Sequence, residues 1–173
     1  VLGGPEVSYE SERFLYPTID AIILGEGEKT FWQYVNQEEN IPGILTHSYH
    51  STTTSKVPLS YLEQFESPYL LAQDLKDMDK RYLYVETSRG CPYQCSYCLA
   101  SLDNRIRFFS LDYLFKLFDQ LSTTHVKQVK FLDRTFNANK ERSIAIANKL
   151  LTMPETMSFH FEIMADTLSE ELL

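Results

Sequence analysis

Cys91, Cys95 and Cys98 are the only cysteines among 173 residues, and all three fall in the run CPYQCSYC. They follow directly on YLYVET, a short apolar, aromatic and β-branched run that reads as a strand. A strand ending in three thiols at C-x3-C-x2-C spacing obliges the fold to present a ligand loop at one end of a sheet. An odd count leaves one thiol over, so a disulfide framework explains the cluster poorly. Structural zinc takes four ligands, usually as paired C-x2-C elements. A Cys3His zinc site would need His47, His50, His125 or His160 to fold back onto the loop. A 4Fe–4S cube suits the thiols better: it is normally held by four thiolates, and three would leave one iron open to a substrate or cofactor. Gly90 permits tight backbone geometry before the first thiol, Pro92 fixes φ after it, and Tyr93 and Tyr97 can shield a cluster from water.

Charge narrows the range of partners. Sixteen basic and twenty-four acidic residues give a net charge of −8, and residues 1–40 hold eight of the acids against two bases. No basic run suggests nucleic-acid binding, and no polybasic or lipidation signal suggests a membrane surface. No apolar stretch approaches the roughly 20 residues of a spanning helix. A hydrophobic content of 43% fits a folded chain. Val1 is followed by no charged leader and apolar core, so no signal peptide is expected; reduced thiols and a cytoplasmic setting follow.

The remaining pattern is α/β. VLGG and DAIILGEGE read as buried strands that run into glycine turns, with a helix over about 28–36 whose Phe31, Trp32 and Val35 share a face. Strand, glycine loop and helix make the doubly wound pattern. Residues 37–81 read as a linker: IPGILTH is a short β excursion, Ser and Thr at 51–55 form a solvated turn, and prolines at 58 and 68 mark an extended tether. From Tyr82 the order becomes strand, helix, strand, helix, strand. Ser110 caps a helix over 111–121 in which Leu111, Leu114, Phe115, Phe118 and Leu121 share a face. VKQVKFLD is the second strand, residues 139–152 form a helix with Ile144, Ala147 and Leu151 inward, and MSFHFEIM alternates as the third strand. Thr167 and Glu170 make a capping box for a following helix. This is the first half of a parallel βα barrel, a partial TIM-type fold, whose chemistry sits at the carboxyl ends of the strands.

C-x3-C-x-aromatic-C after YLYVET resembles the signature of radical S-adenosylmethionine enzymes. The resemblance implies a 4Fe–4S cluster on Cys91, Cys95 and Cys98, with S-adenosylmethionine chelating the open iron and cleaved reductively to a 5′-deoxyadenosyl radical. It also implies a low-potential electron donor such as a flavodoxin or ferredoxin, acting with a substrate the sequence does not identify. GGP followed by D-x-I-x-x-G-E-G-E-x-x-F is similar to the last part of the cobalamin-binding domain that precedes many such enzymes. Gly3 and Gly4 match that family's GG element; its two earlier elements, with the cobalt-ligating histidine, are absent. The chain therefore reads as an internal fragment: residues 1–36 as the tail of a cobalamin-binding-like domain, 37–81 as linker, and 82–173 as half of the radical domain. Cobalamin and cobalamin-dependent methyl transfer are expected of the full-length protein. The half barrel is not expected to turn over by itself.

By the same resemblance, Tyr97 lies beside the adenine, while Asp133 or Thr135, in DRTF at the end of the second strand, receives the amino group of the methionine part. Glu162, in a strand with an aromatic opposite face, is expected to point into the barrel or towards its mouth and meet a ribose hydroxyl or an ammonium group. Plain structural roles compete at each position: packing at Tyr97, a strand-end turn at Asp133 and an interior salt bridge at Glu162. Arg89, Arg105 and Arg107 bracket the loop and would neutralise a cluster, bind an anionic substrate or stay solvated. The alternatives to the whole reading are a non-catalytic zinc or iron–sulfur module and a methylthiotransferase-like radical enzyme.

Overall fold

The computed structural model describes residues 1–51, 53–71 and 75–172. The chain divides into two units, Val1–Leu62 and Glu63–Leu173.

In the first unit, strand β1 (Ala21–Ile23) pairs antiparallel with β2 (Ile44–Thr46), and a parallel bridge joins Leu2 to Ile22. The β excursion expected at IPGILTH is thus present, and it turns back through a bridge between Leu45 and His50. Helix α1 covers Gly27–Val35. It turns Thr30 inward, where the hydroxyl donates to the Pro42 carbonyl at 3.2 Å. The stripe expected to face the core is instead open: Phe31 and Val35 are exposed, and Trp32 is 59% exposed. With a parallel bridge on one side of β1 and an antiparallel strand on the other, the described residues form no doubly wound sheet. The polar 51–55 run is more than a solvated turn. Ser51 is buried and accepts from Gly43 N at 2.8 Å, and Ser55 N donates to the Leu24 carbonyl at 2.8 Å. Thr52 lies outside the described residues, as does part of the tether, residues 72–74. A one-turn helix, α2 (Leu59–Leu62), closes the unit.

The second unit is built on β3 (Tyr82–Val85), β6 (Gln128–Phe131) and β7 (Ser158–His160), joined in parallel in that order. Strands consecutive in this scheme lie side by side, the arrangement of a βα barrel segment, although no closed barrel is formed by the described residues. A two-residue ribbon, β4 (Ser88–Arg89) with β5 (Arg107–Phe108), stands between the first strand and its helix. Helix α3 (Leu111–Ser122) begins at Ser110, whose hydroxyl accepts from Tyr113 N at 3.2 Å, and buries Leu114, Leu117, Phe118 and Leu121. Helix α4 (Lys140–Leu150) is capped by Asn139, which accepts from Arg142 N at 2.9 Å.

The inward face of α4 is turned from the one expected. Ser143, Ile146 and Leu150 are buried, whereas Leu151 is 82% exposed. Ser143 sets this rotation, since its hydroxyl donates to the carbonyls of Phe136 (2.9 Å) and Asn139 (2.7 Å). Phe131 centres the core, stacked on Phe161 at 4.6 Å between ring centroids and edge-on to Phe118 at 6.1 Å. β7 is shorter than its alternation suggested, and Glu162 lies beyond its end. The capping box at Thr167 is not formed. Residues Ala165–Thr167 make a single 3₁₀ turn, and the Thr167 hydroxyl accepts from Asn137 Nδ2 and donates to the Met164 carbonyl.

Candidate metal centre

The cysteine loop leaves the carboxyl end of β3 and is closed at its base by the β4–β5 ribbon. Cys91 N donates to the Asp103 carbonyl at 3.0 Å, and Cys98 N to the Cys95 carbonyl at 3.0 Å. Gly90 carries a φ of +92°, and a Cβ there would stand 2.4 Å from the Arg105 carbonyl oxygen. Only glycine lets the backbone turn at this close approach. All three thiols are free, and they grade from inside to outside: Cys91 is 8% exposed, Cys95 is half-buried and Cys98 is exposed. Three soft donors on one loop suit an iron–sulfur cluster in kind. Among the described residues, however, no three Cys, His, Asp or Glu side chains stand together as a formed metal site.

Asp133 holds the base of this loop. It lies at the carboxyl end of β6 and is 1% exposed. Its Oδ2 accepts from Thr87 N (2.9 Å), and its Oδ1 from Thr87 Oγ1 (2.6 Å) and Ser88 Oγ (2.5 Å). A buried carboxylate requires such partners, and three donors occupy it here. Arg142 on α4 completes the group, donating from Nη2 to the Thr87 carbonyl at 3.1 Å and lying over the Phe108 ring at 4.9 Å. Burial pulls its guanidinium below the ordinary arginine range, while the charges of Asp133 and Glu63 work the other way. Sequence reading missed Arg142. Its one signal was a basic residue in the first turn of a helix, where the macrodipole favours acids.

Thr135 is buried with its hydroxyl 3.5 Å from Cys91 Sγ, and that hydroxyl also donates to the Arg134 carbonyl. The structure therefore brings Thr135 to the first thiol and Asp133 to the loop's root. Tyr97 is 90% exposed and does not cover the loop. The Cys95 thiolate beside it, by charge and by hydrogen bonding, holds its phenol above the usual range. Glu162 is exposed and lies past the end of β7 at His160, not buried inside a barrel; its backbone carbonyl accepts from Phe136 N at 2.8 Å. Arg89 pairs with Glu86 at 2.9 Å and Arg107 with Asp103 at 3.4 Å. In the first unit, a Cβ at Gly3 would stand 3.9 Å from Ile23 Cβ, and one at Gly4 (φ +104°) would face open space. The Gly4 carbonyl accepts from Ser8 Oγ at 2.8 Å.

No protein-family profile matches the chain. An uncharacterized methyltransferase of Pyrococcus horikoshii is 33% identical over 169 residues, an alignment that takes in 87% of this chain and 36% of that protein. A cobalamin-dependent radical SAM methyltransferase of Streptomyces tokunonensis, TokK, is 30% identical over 118 residues, 57% of this chain and 17% of that protein. The solved structure of the cobalamin-dependent S-adenosylmethionine radical enzyme OxsB, with aqua-cobalamin and S-adenosylmethionine bound, superimposes with a TM-score of 0.68 at 23% identity. It covers 91% of this chain and 25% of OxsB. The chain thus spans about a third of the Pyrococcus relative and less of the others. In fold, this chain is similar to part of the cobalamin-dependent S-adenosylmethionine radical enzyme OxsB.

Proposed function

We propose that this chain is the cluster-bearing part of a cobalamin-linked radical S-adenosylmethionine enzyme, with Cys91, Cys95 and Cys98 as the ligands of a 4Fe–4S cluster. One observation carries the reading: the three-thiol loop opens at the carboxyl end of the first of three parallel strands, with Cys91 seated against Thr135 at the end of the second. When bound, a cluster on three thiolates leaves one iron for S-adenosylmethionine and supplies the electron for its reductive cleavage, drawn from a low-potential donor such as a flavodoxin or ferredoxin. The protein's part is placement. Asp133 and Arg142 fix the root of the loop, Gly90 lets it turn, and the Thr135 hydroxyl stands within reach of the Cys91 sulfur. Cobalamin-dependent methyl transfer, which TokK has by name, is proposed for the whole protein, with Gly3 and Gly4 on the cobalamin side.

Anaerobic reconstitution tests this. The chain should take up about four irons and show a visible spectrum that shifts on adding S-adenosylmethionine. Cys95→Ala should lose the cluster. One zinc per chain, with no iron uptake and no shift, would overturn the reading in favour of a structural metal module.

A further inference from the structure

We infer that Asp133 is a positioning residue that seats Cys91 before any metal arrives, so that the three thiols enter the site unequally, with Cys91 as the fixed ligand and Cys95 and Cys98 as recruited ones. The inference rests on the proposed cluster only for the name ligand; the seating belongs to the bare chain. Four observations converge on it. Thr87 and Ser88, which launch the loop, give three hydrogen bonds to the Asp133 carboxylate, from one backbone N–H and both hydroxyls. The Thr87 carbonyl is held in turn by Phe109 N (3.0 Å) and Arg142 Nη2 (3.1 Å). Two residues after Ser88, Gly90 packs its Cα face on the Arg105 carbonyl, and Cys91 N is tied to Asp103. Beyond Cys91 the backbone bonds from Cys98 N to the Cys95 carbonyl and from Ser101 N to the Cys98 carbonyl are local to the loop; Cys95 is half-buried, Cys98 is exposed, and no three-donor group has formed among the described residues.

Substituting Asn for Asp133 keeps the shape but removes one acceptor. An amide carries one oxygen and one NH2: with its nitrogen towards the Thr87 N–H it sets donor against donor, and with its nitrogen towards the Thr87 and Ser88 hydroxyls it makes them accept and takes away the acceptor for their own hydrogens. The loss falls on the loop's root and frees Cys91 first.

The test is thiol alkylation of the metal-free chain by iodoacetamide under reducing conditions, with each cysteine followed by mass spectrometry. In the native chain Cys98 should react fastest and Cys91 slowest. Asp133→Asn should speed Cys91 by about tenfold or more while Cys98 stays within about twofold. A core variant of equal instability, Phe118→Leu, should leave the order of the three thiols unchanged, which separates seating from general loosening. Should Asp133→Asn fail to fold, Ser88→Ala removes one donor alone and should give a smaller rise confined to Cys91. A folded Asp133→Asn with Cys91 as protected as before, a rise shared equally by all three thiols, or a Ser88→Ala indistinguishable from native when Asp133→Asn is unfolded would each overturn the inference. Iron uptake by the native chain is measured alongside. Its absence sinks the cluster reading without touching the alkylation result.

Discussion

At Gly90 the backbone occupies a conformation that side chains avoid, against a carbonyl that cannot retreat. Gly90→Ala should cost about 1–3 kcal/mol, read by urea denaturation, through strain together with the displaced Arg105 carbonyl. Tyr113 offers a second single-residue test. It stacks on Phe109 at 5.5 Å, and burial, then the charge of Glu63, pushes its phenol above the ordinary value of 10.0. The folded chain therefore holds this proton more tightly than the unfolded chain. The stabilisation is complete below pH 10.0 and is lost as pH rises through the folded value. Glu63→Gln should bring the Tyr113 titration part of the way back, measured by the ultraviolet phenolate band, because the larger cause remains. Residue types at the thiol loop were readable from the chain, since spacing alone groups three soft donors. The partners of Asp133 were not. Nothing local distinguishes a strand-end aspartate open to a cofactor from one whose oxygens are taken by residues 45 and 46 positions away.

Helix starts belong to the next scale. Ser110→Ala and Asn139→Ala each remove a side-chain acceptor from an N-terminal turn, and each should lower stability by about 1 kcal/mol in denaturant titrations. The cost at Asn139 should carry to the loop root, because the capped turn holds Arg142. The Ser110 cap and the order of strands and helices were legible, since capping and periodicity are written in neighbouring residues; Asn139 was read as part of its helix and not as its cap. Faces and ends were less so. On α4 Ser143, Ile146 and Leu150 face the core in place of the expected Ile144, Ala147 and Leu151, and the single Ser143 O–H is shared between two carbonyls. At β7 the alternation of Phe159, Phe161 and Ile163 runs on past His160, but Phe161 leaves the ladder to stack on Phe131, and Glu162 is turned out with it. Aromatic packing and strand pairing give the same pattern in the sequence for as long as both bury alternate residues.

For the molecule as a whole, every contact of the cysteine loop described above is made within Glu63–Leu173. A chain beginning at Glu63 should therefore take up as much iron on reconstitution as residues 1–173 do; a marked drop would give the first unit a share in the site. The core of this unit is concentrated at one ring. Phe131→Ala should cost about 3–5 kcal/mol, the usual toll of emptying a buried aromatic position, seen as a fall in the unfolding midpoint.

The bond from Thr87 to Asp133 joins residues 46 apart, and that from Arg142 to Thr87 joins residues 55 apart. Such distant pairs close late, after the loop between them has given up its freedom. During synthesis the three thiols thus emerge well before the groups that seat the first of them. A growing chain that has passed Cys98 but not yet Asp133 presents three sulfurs without the strand-end partners that hold the first of them, and Cys91 gains those partners only when the second strand docks.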